Sequence, residues 1–135
     1  MVIDTSAIVA IIANEPEREI FTEIISAEPV TAISLMTFYE ASIVSANKIG
    51  TPRGAWRVDE FAREMQIDII PSTLEDALAA REAYFKYGRG YHPAGLNLAD
   101  CFAYALAKTR NVALLFKGND FSKTDIIPAW RPQNE

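Results

Sequence analysis

The chain has 135 residues, half of them apolar and 23% charged, a length and composition that fit one globular domain with one core. A net charge of -5 argues weakly against a nucleic-acid partner, and a lone cysteine, Cys101, excludes an internal disulfide and a cysteine-held zinc. No apolar run approaches the roughly 20 residues that a membrane helix needs; the start has no basic region before its apolar run, so no signal peptide is expected, and a reducing cytoplasm is the expected setting.

In chain order, Val2 to Asp4 end a first strand, and Ala7 to Ala13 read as a short buried helical turn. Asn14 with Pro16 reads as the cap and first turn of a helix whose apolar stripe is Ile20, Phe21, Ile24 and Ile25. Val30 to Ile33 form a second strand. Ser34 caps a helix running to about Lys48, stopped before Gly50. Thr51-Pro52 opens another helix that carries Trp56, Phe61 and Met65 towards the core. Ile67 to Ile70 make a third strand, closed by Pro71. Ser72-Thr73-Leu74-Glu75 reads as a capping box before an alanine-rich helix that ends near Gly88. The stretch GRGYHPAGLN, residues 88–97, is a loop. Asn97 caps a helix from Leu98 to about Thr109, Val112 to Phe116 form a fourth strand, and Ile126-Ile127 are placed to add a short last one. Alternating strands and helices predict an α/β fold with a mostly parallel sheet of four or five strands and helices on both faces.

Sites in such sheets form beyond the carboxyl ends of the strands. Asp4 ends the first strand inside an apolar segment, MVIDTSAIVAII, where an unpaired charge costs several kcal/mol. Glu40 lies about two turns into the helix after the second strand, Asp100 in the first turn of the helix after the glycine loop, and Asp120 past the fourth strand. Each has a plainer role open to it. Asp100 can complete a cap begun by Asn97, Glu40 can be a solvated helix residue, and Asp120 can shape a turn. Together in one crevice they would need a cation, because like charges at close range raise one another's pKa. Mg²⁺ or Mn²⁺ suits carboxylate and water ligation, and one or two such ions support phosphodiester hydrolysis without a histidine base.

Four segments carry a family likeness, in this order and at familiar spacings: MVIDTSAIVAII, the helix with TFYEAS, GRGYHPAGLNLADCFAYALAK, and VALLFKGNDFSKTDI. Together they resemble the VapC-like toxins of the PIN-domain family over about residues 1–130. The resemblance implies a single PIN-like α/β domain spanning residues 1–135, with an acidic pocket for Mg²⁺ or Mn²⁺. It implies a ribonuclease that cuts RNA of the tRNA or rRNA class, stops translation, is neutralised by a VapB antitoxin and forms homodimers. Carried over by motif, the catalytic acids are Asp4, Glu40, Asp100 and Asp120, with Asp4, Asp100 and Asp120 as metal ligands. Glu40 holds metal through water or orients the attacking water. Ser6 matches a hydroxyl that lines the pocket, with Thr5 as its understudy. Two positions depart from the pattern. Asn119 stands where many relatives have a second acid, and Ala99 where glycine is frequent.

Residues 1–80 hold 13 acidic and 5 basic side chains, whereas residues 81–135 hold 5 and 8. That asymmetry suits a basic face beside an acidic site as well as a merely solvated surface. Lys117, Lys86 and Arg89 are candidates for RNA phosphate, His92 for phosphate or base, and Tyr91 for stacking on a base, each with a structural role as the alternative. Cys101 reads as a small buried residue. Trp56 and the Ile20–Ile25 stripe are either core or part of a groove for an antitoxin helix. An aspartyl phosphatase would want an acid where Ser6 stands, and a receiver domain its phosphorylated aspartate in a middle strand. A non-catalytic PIN-like interaction module remains the alternative to a nuclease.

Overall fold

Every strand is short. In the computed structural model, which describes residues 1–133, β1 spans Val2–Ile3, β2 Ala32–Ser34, β3 Asp68–Ile70 and β4 Leu114–Leu115. All pairings are parallel, in the order β3-β2-β1-β4. The two neighbours of β1 therefore lie on opposite sides of it, which opens a crevice at its carboxyl end. Parallel neighbours need crossovers, and helices supply them: α1 (Thr5–Ile12), α2 (Arg18–Ala27), α3 (Leu35–Ile49), α4 (Arg53–Glu64), α5 (Leu74–Tyr87) and α6 (Leu98–Arg110).

Alternation along the strands sorts the core into two halves. Val2 and Leu114 pack with Ala80, Tyr87, Leu96, Cys101 and Tyr104 of the α5–α6 layer. Ile3, Ile33 and Leu115 pack with Ile8, Ile11, Phe21 and Val58 of the α1–α4 layer. The strands β1, β2 and β4 are thus buried on both faces, as a parallel sheet favours, while the edge strand β3 stays largely exposed. No helix among the described residues is long and apolar enough to cross a membrane.

Several local expectations are corrected. The helix after β1 starts at Thr5 rather than Ala7, because the Asp4 side chain caps it. Asn14 has φ 56 and reverses the chain instead of capping a helix, so α2 starts at Arg18. The capping box ahead of α5 is Thr73 with Asp76, one residue later than Ser72 with Glu75. Ile67 falls just outside β3. Trp56 is 61% exposed, not core. The inward face of α4 consists of Gly54, Val58 and Ala62, spaced one turn apart. Gly54 lies so close to α3 that a Cβ there would stand 2.4 Å from the Ser45 carbonyl oxygen. At the end of α3, Gly50 takes the left-handed cap conformation, φ 87, at little steric cost. The expected last strand at Ile126-Ile127 shrinks to a single bridge between Leu114 and Pro128, made by the Leu114 N–H to the Ile127 carbonyl and the Ala129 N–H to the Leu114 carbonyl.

Candidate active site

Asp4 follows β1 directly, at the crevice, and has two jobs. Its backbone N–H donates to the Leu115 carbonyl at 2.9 Å, fixing it beside β4. Its Oδ2 accepts from the Ser6 N–H at 3.0 Å and the Ser6 hydroxyl at 2.7 Å, capping α1. The hydroxyl in turn accepts from the Lys117 N–H at 2.9 Å, so its one proton is committed to Asp4. Oδ1 of Asp4 is buried and has no hydrogen-bond partner. The neighbouring Thr5 hydroxyl is also buried and unpartnered. Buried polar atoms are rarely left so, and an orphan carboxylate oxygen fits a cation.

The other acids converge on the same field. Asp100 completes a capping box at the start of α6: its Oδ2 accepts from the Asn97 N–H at 3.0 Å, and its own N–H donates to Asn97 Oδ1 at 2.8 Å. Cap and site residue are thus one. Asn97 also reaches across to α3, where its Nδ2 donates to Glu40 Oε2 at 3.4 Å. Burial pushes the Asp100 carboxyl up to about 7, and the charges of Asp4, Glu40 and Asp120 add to it. Burial likewise pushes Asp4 up to about 6 against the two Ser6 hydrogen bonds, with Glu40 adding to the rise. Asp120, just before the 3₁₀ turn Phe121–Lys123, is exposed and contributes its charge from the rim.

Asp100 thus feels the charges of three acids from three other segments. Among the described residues, no three Asp, Glu, His or Cys side chains stand close enough to close a metal shell alone. Mg²⁺ does not require that, since it keeps several waters and binds through one or two carboxylates. The donor set, all hard oxygen, fits that ion or Mn²⁺.

The remaining candidates separate by what they touch. The Lys117 ammonium lies 2.9 Å from Glu17 and 3.2 Å from Glu15. His92 Nδ1 accepts from the Ala94 N–H at 3.0 Å, and its ring lies edge-on to Tyr87, bracing the loop. Asn119 is exposed, and its carbonyl accepts from the Ser122 hydroxyl at 2.6 Å. Lys86 lies over the Tyr87 ring, and Tyr91 packs edge-on against Tyr84 and Phe85. Burial pushes the Cys101 thiol up to about 11, with the Asp100 charge adding to it, so it is no nucleophile. Sequence reasoning gave Asn97 only a capping role and passed over Glu15 and Glu17. Their one signal is the pair of acids flanking Pro16.

Comparison with known proteins places the chain in a family. Residues 1–127 match the family model described as PIN domain. Ribonuclease VapC30 of Mycobacterium tuberculosis is 42% identical over 132 residues, covering 98% of this chain and 100% of that protein. Ribonuclease VapC of Mycolicibacterium smegmatis is 42% identical over 126 residues, covering 93% and 97%. In fold, the chain is similar to Mycobacterium tuberculosis VapC20, a Sarcin-Ricin loop cleaving toxin, with a TM-score of 0.78 at 16% identity over 97% of this chain and 98% of that one. It is also similar to a chain of a toxin-antitoxin complex from Klebsiella pneumoniae, with a TM-score of 0.69 at 20% identity over the same shares. The strand-end acids, the parallel sheet that presents them and end-to-end identity with these ribonucleases agree: the chain belongs to the VapC-like toxins of the PIN-domain ribonuclease family.

Proposed function

We propose that the chain, acting as one domain over residues 1–135, hydrolyses RNA phosphodiester bonds with Mg²⁺ or Mn²⁺ held in the acidic crevice. The observation that carries this reading is the buried, unpartnered Oδ1 of Asp4, beside an Asp100 carboxyl that burial and the charges of Asp4, Glu40 and Asp120 push up. A bound ion would supply the positive charge that activates a water and steadies the phosphate during displacement. Asp4 through Oδ1, Asp100 and Asp120 are the residues to hold it. Ser6 keeps Oδ2 occupied and so orients Asp4. Glu40, tethered by Asn97, orients the attacking water. Thr5, Asn119 and His92 belong to the surroundings of the crevice, where RNA enters.

The substrate is RNA of the tRNA or rRNA class, and the setting is the cytoplasm. A VapB-like antitoxin helix is assigned to the cleft of about 390 Å³ between α2 and α4, where Ile11, Phe61 and Met65 are rimmed by Arg18, Glu19, Glu23 and Glu64. A homodimer is supported by an exposed apolar stripe, Leu74, Leu78 and Phe85 on α5 with Leu98 on α6. It borders an apolar cleft of about 510 Å³.

The test is cleavage of total cellular RNA by the purified chain with Mg²⁺, Mn²⁺ or EDTA, beside Asp4→Asn. Cleavage that needs the metal and is lost in the variant is expected. Equal cleavage in EDTA, or by the variant, would defeat the reading, and metal binding without any cleavage would favour an interaction module.

A further inference from the structure

Residue 117 is tied to both ends of α1. At the amino end its backbone N–H donates to the Ser6 hydroxyl, which donates to Asp4. Beyond the carboxyl end its ammonium meets Glu15 and Glu17. Those acids are brought there by the reversal at Asn14, φ 56, and by a bond from the Glu15 N–H to the Ala10 carbonyl. The eight residues of α1 span about 12 Å, a distance bridged jointly by the extended lysine, its hydrogen bond to Ser6 and the Glu15 and Glu17 side chains.

Glu15 extends the tie further, since its other oxygen pairs with Lys48 near the end of α3, the helix that carries Glu40. The Lys117 and Glu15–Glu17 side chains are 35%, 20% and 21% exposed, so the pairs are partly shielded from screening. Burial pushes Glu15 up, yet the Lys117 and Lys48 ammoniums outweigh it and hold the carboxyl below its usual range.

We propose that Lys117, clamped by Glu15 and Glu17, is a positioning residue that sets Ser6 and thereby the free oxygen of Asp4, rather than a contact to RNA phosphate. The inference rests on the nuclease reading above. The competing role has a different signature, because a phosphate contact acts on substrate binding and its salt dependence, whereas a positioning residue acts on metal affinity and turnover.

The test uses Lys117→Met and the double variant Glu15→Gln/Glu17→Gln, with Lys117→Arg as the conservative rescue and Asp4→Asn as the control. Amide hydrogen exchange at residue 117 in EDTA, Mn²⁺ binding by calorimetry, and kcat and KM for RNA are measured on each. We expect faster exchange at residue 117 in Lys117→Met and in the double variant. Weaker Mn²⁺ binding and a fall of about tenfold in kcat at nearly constant KM go with it. Lys117→Arg is expected to restore all three. A rise in KM with a shallower salt slope and unchanged Mn²⁺ affinity in Lys117→Met would overturn the proposal and return Lys117 to the RNA. If the unaltered chain binds no Mn²⁺ and Asp4→Asn cleaves like it, the nuclease reading itself fails, and the clamp's role with it.

Discussion

Replacing Asp4 by asparagine should stabilise the metal-free protein, and by an amount that depends on pH. The carboxyl is nearly inaccessible, and its pKa rises from 3.8 to about 6 in the fold, chiefly through burial. Between those values the folded chain holds a proton that the unfolded chain has released, so stability falls as pH climbs through the window. The full shift corresponds to about 3 kcal/mol above pH 7, and to about 1.5 kcal/mol at pH 5, where the window is half crossed. Asparagine keeps an oxygen for the Ser6 N–H and hydroxyl, caps helices as well as aspartate does, and carries no charge. The variant should therefore exceed the parent by about 3 kcal/mol at pH 8 and by about half of that at pH 5. Urea unfolding in EDTA at both pH values measures the gap. The emission of Trp130, which packs edge-on against the buried Phe21 ring at 5.1 Å, offers a probe of the core. A variant no more stable than the parent at pH 8, or a gap equal at the two pH values, would refute the account of Asp4 as a charge held in the fold at a cost.

Asp100→Asn should abolish RNA cleavage while the fold survives, because the amide still presents an oxygen to the Asn97 N–H; residual cleavage in a nuclease-free preparation would displace Asp100 from the site. Added Mn²⁺ should raise the melting temperature of the parent, by an increment equivalent to about 2.7 kcal/mol at a hundred times Kd, and leave Asp4→Asn unmoved, as read by a thermal melt. Gly54→Ala should cost roughly 1–3 kcal/mol, since its methyl would meet the Ser45 carbonyl and push α4 from α3; an unchanged urea midpoint would contradict that packing. Light scattering should show the free toxin as a dimer that Leu78→Glu dissociates, and a monodisperse monomer before the substitution would count against the α5–α6 stripe as the interface.

The alternation of apolar runs with helical patterns was enough to locate the sheet-forming segments along the chain, because the buried strands β1, β2 and β4 fall in apolar runs. The four acids were visible for a related reason. Asp4 interrupts an apolar strand end and Asp100 opens a helix, where a charge is either a cap or part of a site; both prove to cap their helices, and Asp100 also feels the charges of the other carboxylates, whereas Glu40, inside α3, stood out only by its place after the second strand. Side-chain direction was harder to read. Trp56 looked like core because it is large and apolar, yet α4 must pass so close to α3 that only its small residues fit between them. Two overlapping stretches before α5 both met the capping pattern, and nothing local favoured Thr73 over Ser72. The Lys117 clamp lay beyond sequence reasoning altogether, since it joins residues about a hundred positions apart by charges that look like ordinary surface.

The pairing of β1 with β4 orders events in time. β1 can pair with β2 early, but Val2 and Ile3 find their second neighbour only when Leu114 and Leu115 exist, the Ser6 hydroxyl meets its donor only at residue 117, and the last acid is residue 120. A growing chain carries its first carboxylate from the fourth residue onward but cannot assemble the crevice until about nine-tenths of it has been made. At roughly 5–20 residues per second, synthesis holds the toxin in an inert form for about 6 to 24 seconds. A fragment ending before residue 114 would leave β1 as a bare strand edge, prone to misassociation rather than to cutting RNA. A nascent chain thus has no assembled crevice until translation is almost complete.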